Sequence, residues 1–223
     1  MGEKLHVGVL ASGGGTDLQS LIDASEKEMI DAVVSVVISD NCDAFCLERA
    51  KKHKIPFYFI DPKGIDKKNH EEKITHILEK HDVGLVVGAG YMRMLSPGFV
   101  KKWYGKLINI HPALLPSFKG VNGQGDAFDY GVKISGCTTH FMDENMDRGP
   151  IILQAAVKVM PDDDRDKLAS RILEVEHQIL PRTVQLFAQD RLKIQDRKVK
   201  ILKGDSWIKK YETFPDTLYS EGY

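Results

Sequence analysis

The first 110 residues carry a rhythm that narrows the possible folds more than any other feature of the chain. Short, nearly all-apolar runs alternate with stretches whose apolar residues recur at helical spacing. Residues 5–11, 32–39 (AVVSVVIS) and 83–89 hold too few polar residues for a strand with one wet face, so they read as strands of a sheet covered on both sides. Between them, Leu18, Leu21 and Ile22, then Phe45, Leu47 and Ala50, then Ile74, Ile77 and Leu78 each fall on one stripe of a helix. Residues 57–60 add a short strand, and Ser96-Pro97 opens a short helix through Phe99, Val100 and Trp103. This alternation predicts an α/β fold: a mainly parallel, twisted, Rossmann-like sheet with helices on both faces.

The first strand runs into Ser12-Gly13-Gly14-Gly15-Thr16-Asp17, where Thr16 or Asp17 can cap the following helix. Strand, glycine turn and helix gather backbone N–H groups at a positive helix end, which suits a phosphate; a plain tight turn has the same composition. Leu18 stands where a dinucleotide fingerprint needs glycine, and no lysine follows as in a P-loop. A monophosphate is therefore the expected ligand if one binds. Asp40 and Asn41 are expected to cap the helix over residues 43–53. The helix over 69–81 leaves His70, His76 and His81 on its solvated side. After the 83–89 strand, Met92, Met94 and Leu95 either offer an apolar surface to a flat ring system or cover the sheet edge.

Residues 106–110 alternate apolar and polar and end at His111-Pro112. Asn109 and His111 stand two apart, so a strand projects both from one face, at the end where open α/β sheets bind ligands. An amide and an imidazole there either satisfy nearby backbone or handle a carbonyl group. Beyond this point the pattern changes. Residues 123–129 read as a short helix, and 134–142 and 151–160 as two strands whose eight-residue link, Asp143 to Pro150, is too short for a crossover helix. They should pair antiparallel. Residues 164–188 read as a helix that Pro181 kinks or ends, 191–202 as a hairpin, and the last twenty, with Trp207, Tyr211, Phe214 and Tyr219, as a tail packed on the surface.

Composition removes whole classes of function. A net charge of −1 gives no footprint for nucleic acid or an anionic membrane. Three cysteines are too few for a disulfide framework and have no zinc-ligand spacing, so they read as thiols of a cytoplasmic protein that holds no metal. No run has transmembrane length. Met1-Gly2 opens a myristoylation pattern that His6 breaks. The acidic link offers a carboxylate, with Gly149-Pro150 defining its turn; folded against the Asn109/His111 strand end, it would favour imidazolium. Such parts suit acyl transfer by direct attack of an amine, with no covalent intermediate.

Taken together, S-G-G-G-T-D-L-Q, A-G-Y-M-R-M-L-S, I-N-I-H-P-A-L-L-P, D-E-N-M-D-R-G-P-I-I-L-Q and E-V-E-H-Q-I-L-P resemble the phosphoribosylglycinamide formyltransferases across about residues 5 to 195. The resemblance implies a formyltransferase fold and formylation of glycinamide ribonucleotide (GAR) by 10-formyltetrahydrofolate, a co-substrate, in purine biosynthesis. It casts Asn109, His111 and Asp147 as the catalytic trio, with His111 the proton donor and Asp147 raising its pKa. It gives Gly15, Thr16 and Asp17 the substrate phosphate and Glu176 the ribose side. Met92, Arg93, Met94, Leu95, Asn109, Asp143, Glu144, Asn145, Met146 and Asp147 match the folate pocket. Lys67 and Lys68 lie nearest to an arginine of that family, and whether either contacts folate stays open. The implied organisation is one domain over 1–203, with a phosphate-binding half (1–105), a catalytic and folate-binding half (106–203) and a tail (204–223). Its partners are then small molecules, with neither nucleic acid nor membrane, and the protein is a monomer or homodimer.

Three other readings compete. Formyltetrahydrofolate deformylase has a second histidine where Pro112 stands and an N-terminal regulatory domain, neither of which this sequence matches. Methionyl-tRNA formyltransferase needs a basic RNA-binding domain. A non-catalytic nucleotide-binding module leaves Asn109, His111 and Asp147 without purpose.

Overall fold

The computed structural model describes residues 3–204, 214 and 216–220. The chain packs as two compact units, Met1–Asn109 and Ile110–Tyr223, dividing inside one strand.

In the first unit strands and helices alternate as β1 (Leu5–Leu10), α1 (Thr16–Glu26), β2 (Ala32–Ser39), α2 (Phe45–Lys52), β3 (Phe57–Phe59), α3 (Lys67–Lys80), β4 (Leu85–Gly88), α4 (Pro97–Lys102) and β5 (Leu107–His111), which continues into the second unit. Neighbouring strands pair parallel in the order β3-β2-β1-β4-β5. From β1 the chain steps outward to β2 and β3, then returns past β1 to β4. Parallel crossovers are right-handed, so this reversal puts α1 and α2 on one face and α3 and α4 on the other. It also makes the carboxyl ends of β1 and β4 the switch point of the strand order, the place where sheets of this kind take ligands. Val9, Leu10, Val36, Val37, Leu85, Val86 and Val87 are buried, as their unbroken apolar runs require.

Several local expectations give way. Neither Thr16 nor Asp17 caps α1; Gly15 is its N-cap, in left-handed conformation at φ 67°. Asn41 does not cap α2 but closes a turn by accepting from the Asp43 N–H at 3.1 Å, and the helix starts at Phe45 behind Ala44. Phe45 itself is exposed, because its ring carries the Arg49 guanidinium at 5.0 Å rather than core. α3 begins two residues early, at Lys67, where Asp66 accepts from the Asn69 N–H. His70 is buried, contrary to the solvated assignment, and its Nε2–H donates to the Ile60 carbonyl at 3.1 Å; His76 is exposed.

In the second unit α5 (Gly123–Tyr130), β6 (Ile134–Phe141), β7 (Ile151–Lys158), α6 (Arg165–Ala188), β8 (Leu192–Gln195), β9 (Lys198–Ile201) and β10 (Thr217–Tyr219) follow in order. β6 and β7 pair antiparallel, with a register shift between Thr139 and His140, and β8 and β9 form the expected hairpin. α6 runs unbroken for 24 residues through Pro181, which does not end it. Leu168, Ile172, Ile179 and Leu180 bury its inner stripe. Part of the tail forms a strand, β10, antiparallel on β7; Trp207 and Tyr211 lie outside the described residues. No described helix is long and apolar enough to cross a membrane.

Ile172 is fully buried on α6. Ile172→Ala should therefore cost about 2 to 5 kcal/mol of unfolding free energy in a urea titration, and a loss under about 1 kcal/mol would mean this stripe is not core.

Candidate active site

The glycine loop at the end of β1 is held from behind. The Ser12 carbonyl accepts from Asn41 Nδ2 at 3.3 Å, the Gly13 carbonyl from the Cys46 N–H at 3.0 Å, and the Gly14 carbonyl from Arg49 Nε at 2.8 Å. In a trans peptide the next N–H points opposite to the carbonyl, so the N–H groups of Gly14 and Gly15 face away from α2 and that of Gly13 away from Asn41. A side chain at Gly13 or Gly14 would meet nothing within 4 Å, leaving that approach open, whereas a Cβ at Gly15 would lie 2.6 Å from Cys46 Cβ. Only glycine fits there, both sterically and at its positive φ. Open N–H groups beside the N-terminus of α1 are what an anion needs. Thr16 and Asp17 occupy the first turn, and burial pushes the Asp17 carboxyl up to about 7.

The loop after β4 is tied to this one. Ser12 N–H donates to the Gly90 carbonyl at 3.0 Å, and Ser12 Oγ donates to Asp40 at 2.6 Å while accepting from the Met92 N–H at 2.9 Å. Its far end is fixed by the buried carboxylate of Glu71, which accepts from the Ser96 N–H at 2.7 Å and from the Ser96 hydroxyl. Between these anchors Met92 and Met94 are exposed, as is Arg93, while Leu95 turns inward and is buried. Of the three apolar residues, the two methionines are accessible and Leu95 packs into the core. Asn109 pairs in register with Gly88, and its carboxamide oxygen occupies the space a side chain at 88 would take.

His111 is buried at the end of β5, on the same face of the strand as Asn109. Its Nε2–H donates to the Phe118 carbonyl at 2.8 Å, and its Nδ1 faces Asp147 Oδ2 at 3.5 Å. The other oxygen of Asp147 faces His140 Nε2 at 3.6 Å, and His140 Nδ1–H donates to the Phe141 carbonyl at 2.8 Å. Asp147 Oδ2 also accepts the Gly120 N–H at 2.9 Å. One carboxylate thus stands between two imidazoles, each turned by a main-chain carbonyl on its far nitrogen.

The acidic link delivers Asp147 through tight backbone. Asp147 adopts φ 50°, Asp143 closes a turn by accepting from the Asn145 N–H at 2.8 Å, and the Phe141 N–H donates to the Pro150 carbonyl at 2.9 Å. At Gly149 a Cβ would lie 1.7 Å from the Phe141 carbonyl oxygen, so the link closes only with glycine there. Asp143 is half-buried, while Glu144, Asn145 and Met146 are exposed. Glu176 is buried on α6. Lys67 and Lys68 are exposed at the start of α3.

Electrostatics modify the expectation for His111. Desolvation lowers its pKa below 6.5 and outweighs the raising effects of Asp147 and of the Phe118 hydrogen bond. Asp147 is lowered below 3.8 despite its own desolvation, because the His140 contact, the Gly120 N–H and the His111 charge favour the anion. An ionised carboxylate therefore faces an imidazole whose burial disfavours the cationic form. His140 escaped the sequence reading: on an otherwise apolar strand it looks like an interior residue, and only the β6 register shift next to it is a sign of re-aiming.

Comparison with known proteins follows the same residues. The formyl transferase family profile matches residues 5–184. Phosphoribosylglycinamide formyltransferase of Escherichia coli K12 is 37% identical over 193 residues, covering 86% of this chain and 91% of that protein. The trifunctional purine biosynthetic protein adenosine-3 of Chironomus tentans is 42% identical over 197 residues, and there the chain spans only 14% of the relative's length and 87% of its own. Among solved structures, glycinamide ribonucleotide transformylase 1 from Symbiobacterium toebii superposes with a TM-score of 0.88 at 41% identity, covering 91% of this chain and 96% of that one. A formyltetrahydrofolate deformylase from Pseudomonas syringae reaches 0.83 at 29% identity, covering 90% of this chain and 66% of that one.

The pKa directions fix a pH dependence. A folded His111 pKa below 6.5 means the unfolded chain takes up a proton that the folded one refuses, so stability falls as pH drops through 6.5 toward the folded value. The depressed Asp147 pKa adds stability that is present above 3.8 and lost as pH falls through its folded value. Asp17, raised to about 7, acts in the opposite sense, adding stability as pH falls through 7. The His111 contribution is therefore read as a difference: relative to His111→Gln, the wild type should lose unfolding free energy as pH drops through 6.5, and parallel curves for the two proteins would contradict the burial argument.

Proposed function

The chain belongs to the phosphoribosylglycinamide formyltransferases, and from that membership we propose that it transfers the formyl group of 10-formyltetrahydrofolate to the amine of glycinamide ribonucleotide. The observation that carries the proposal is the buried His111–Asp147 pair at 3.5 Å, with His111 on the strand that also bears Asn109. The reaction balances without a cofactor. The amine nitrogen bonds to the formyl carbon, the oxygen becomes an oxyanion, the bond to folate N10 breaks, and the proton the amine sheds equals the one N10 needs.

In this reading the Asn109 amide donates to the oxyanion, and His111 moves the proton. A neutral imidazole accepts from the attacking nitrogen, and the negative charge growing beside it raises its pKa, so that it becomes the donor to N10. Asp147 holds the ring and supports its cationic form. Each oxyanion donor of this kind is worth about 3 to 4 kcal/mol, and holding both substrates in reactive geometry about 7 to 11 kcal/mol. The N–H groups of the glycine loop with Gly15, Thr16 and Asp17 take the substrate phosphate, and Glu176 takes the ribose. The stretches 92–95 and 143–147 line the folate. Since the Phe118 carbonyl accepts from Nε2 of His111, substrate has to displace that bond or approach Nδ1. We place the reaction in the cytoplasm, where Cys46 and Cys137 would persist as buried thiols.

The test is to incubate the protein with formyl-folate, with and without GAR. Tetrahydrofolate release only when GAR is present supports transfer, formate release without it supports hydrolysis, and no turnover leaves a binding module. His111→Ala and Asp147→Ala should keep the far-ultraviolet spectrum of the wild type and lose at least about a hundredfold in kcat. Asp147→Asn should also move the acid limb of the kcat–pH profile to lower pH, because an imidazolium without its anion is a stronger acid. Wild-type rates from either alanine variant would refute the assignment.

A further inference from the structure

Arg49 bonds a main-chain carbonyl of the glycine loop through its guanidinium, and the proposed reaction has found no use for that cation. It lies on the α2 side of the loop, where Nε donates to the Gly14 carbonyl at 2.8 Å and Nη1 donates to Gln19 Oε1 at 3.1 Å. Gln19, on α1, is itself fixed by donating to Asp23 at 2.8 Å. The guanidinium also lies over Phe45 at 5.0 Å, which explains why so large an apolar ring is left exposed. Four elements thus determine where this cation sits: the loop carbonyl, the Gln19 amide, the Phe45 face and the α2 backbone.

We propose that Arg49 is the positioning residue of the phosphate cradle, holding the Gly14 peptide so that the Gly15 N–H faces the substrate phosphate and keeping a fixed positive charge behind the loop. The inference rests on the phosphate reading of that loop and deepens it by naming what gives the loop its affinity for an anion. Peptide planarity supplies the mechanism: a carbonyl drawn onto Nε turns the following N–H to the opposite side. Arginine suits the position because its planar fork donates in two directions while its face stacks on an aromatic ring, which a lysine ammonium cannot do at once. Arg49 touches neither the amine nor the formyl group, so its loss should appear in substrate binding and not in the chemical step.

Steady-state kinetics on the full chain, comparing wild type, Arg49→Met and Arg49→Lys, test this. Arg49→Met should raise KM for GAR about tenfold, with kcat and KM for formyl-folate changed less than about twofold. Arg49→Lys should recover part of the loss, since it restores charge without the fork. Glycinamide riboside, which lacks the phosphate, should be used equally by wild type and Arg49→Met, and a residue that merely ties α1 to α2 would affect both substrates alike. Calorimetry with inorganic phosphate separates this inference from the functional reading, because it needs no turnover. Weaker phosphate binding by Arg49→Met supports the proposal even if GAR is never formylated. Equal phosphate affinity, an unchanged KM, or a loss shared by the riboside overturns it while leaving the transfer reaction standing.

Discussion

The second unit is organised around a carboxylate that has lost most of its water. Asp147 keeps its charge in a side-chain environment only 10% exposed, where the Gly120 N–H donates to it and the rings of His111 and His140 face its two oxygens. A buried anion of this kind tolerates no approximation in its surroundings, since a missing partner leaves a desolvated charge uncompensated. That demand reaches into the backbone. Gly120 must present its N–H, Asp147 must accept a positive φ, and Gly149 must lie flat against the Phe141 carbonyl. The segment after β5 is braced in turn, with Thr138 Oγ1 donating to Ala113 and accepting from Leu115, and Gln154 donating to the Leu115 carbonyl.

Opposed electrostatic effects suit His111 to the part proposed for it. Burial alone makes an imidazole a poor proton acceptor, and a neighbouring anion alone makes it a permanent cation. Together they leave a ring whose protonation responds to one further charge, and the oxyanion of a carbonyl addition is such a charge. His140 extends the arrangement on the far side of Asp147, so that carboxylate is shared between two rings and is not committed to either.

Much of this was legible in the residues because the signals are local. Strand runs and helical stripes give the α/β alternation directly, and the link between β6 and β7 is too short for anything but an antiparallel return. The glycine turn and the Gly149-Pro150 turn announce themselves through residues that tolerate unusual backbone. What escaped depends on distant partners. Phe45 fits an apolar stripe by spacing, yet Arg49 one turn later covers it. His70 has the polarity of a surface residue, yet the Ile60 carbonyl takes it inside. Pro181 carries the composition of a helix breaker inside a segment whose burial keeps it helical. β10 has only three residues and exists because β7 offers it an edge.

The crossing strand β5 has one more consequence. Its side chains repeat every two residues, so a shift of a single position would exchange Asn109 and His111 for Ile108 and Ile110 on the reactive face. The turn at 103–106 that leads into it therefore cannot absorb an odd insertion or deletion by sliding the strand. Changes in chain length near this point should be tolerated only where they loop out before Leu107, which makes the spacing from Leu107 to His111 a stricter requirement of the proposed chemistry than the length of the turn before it.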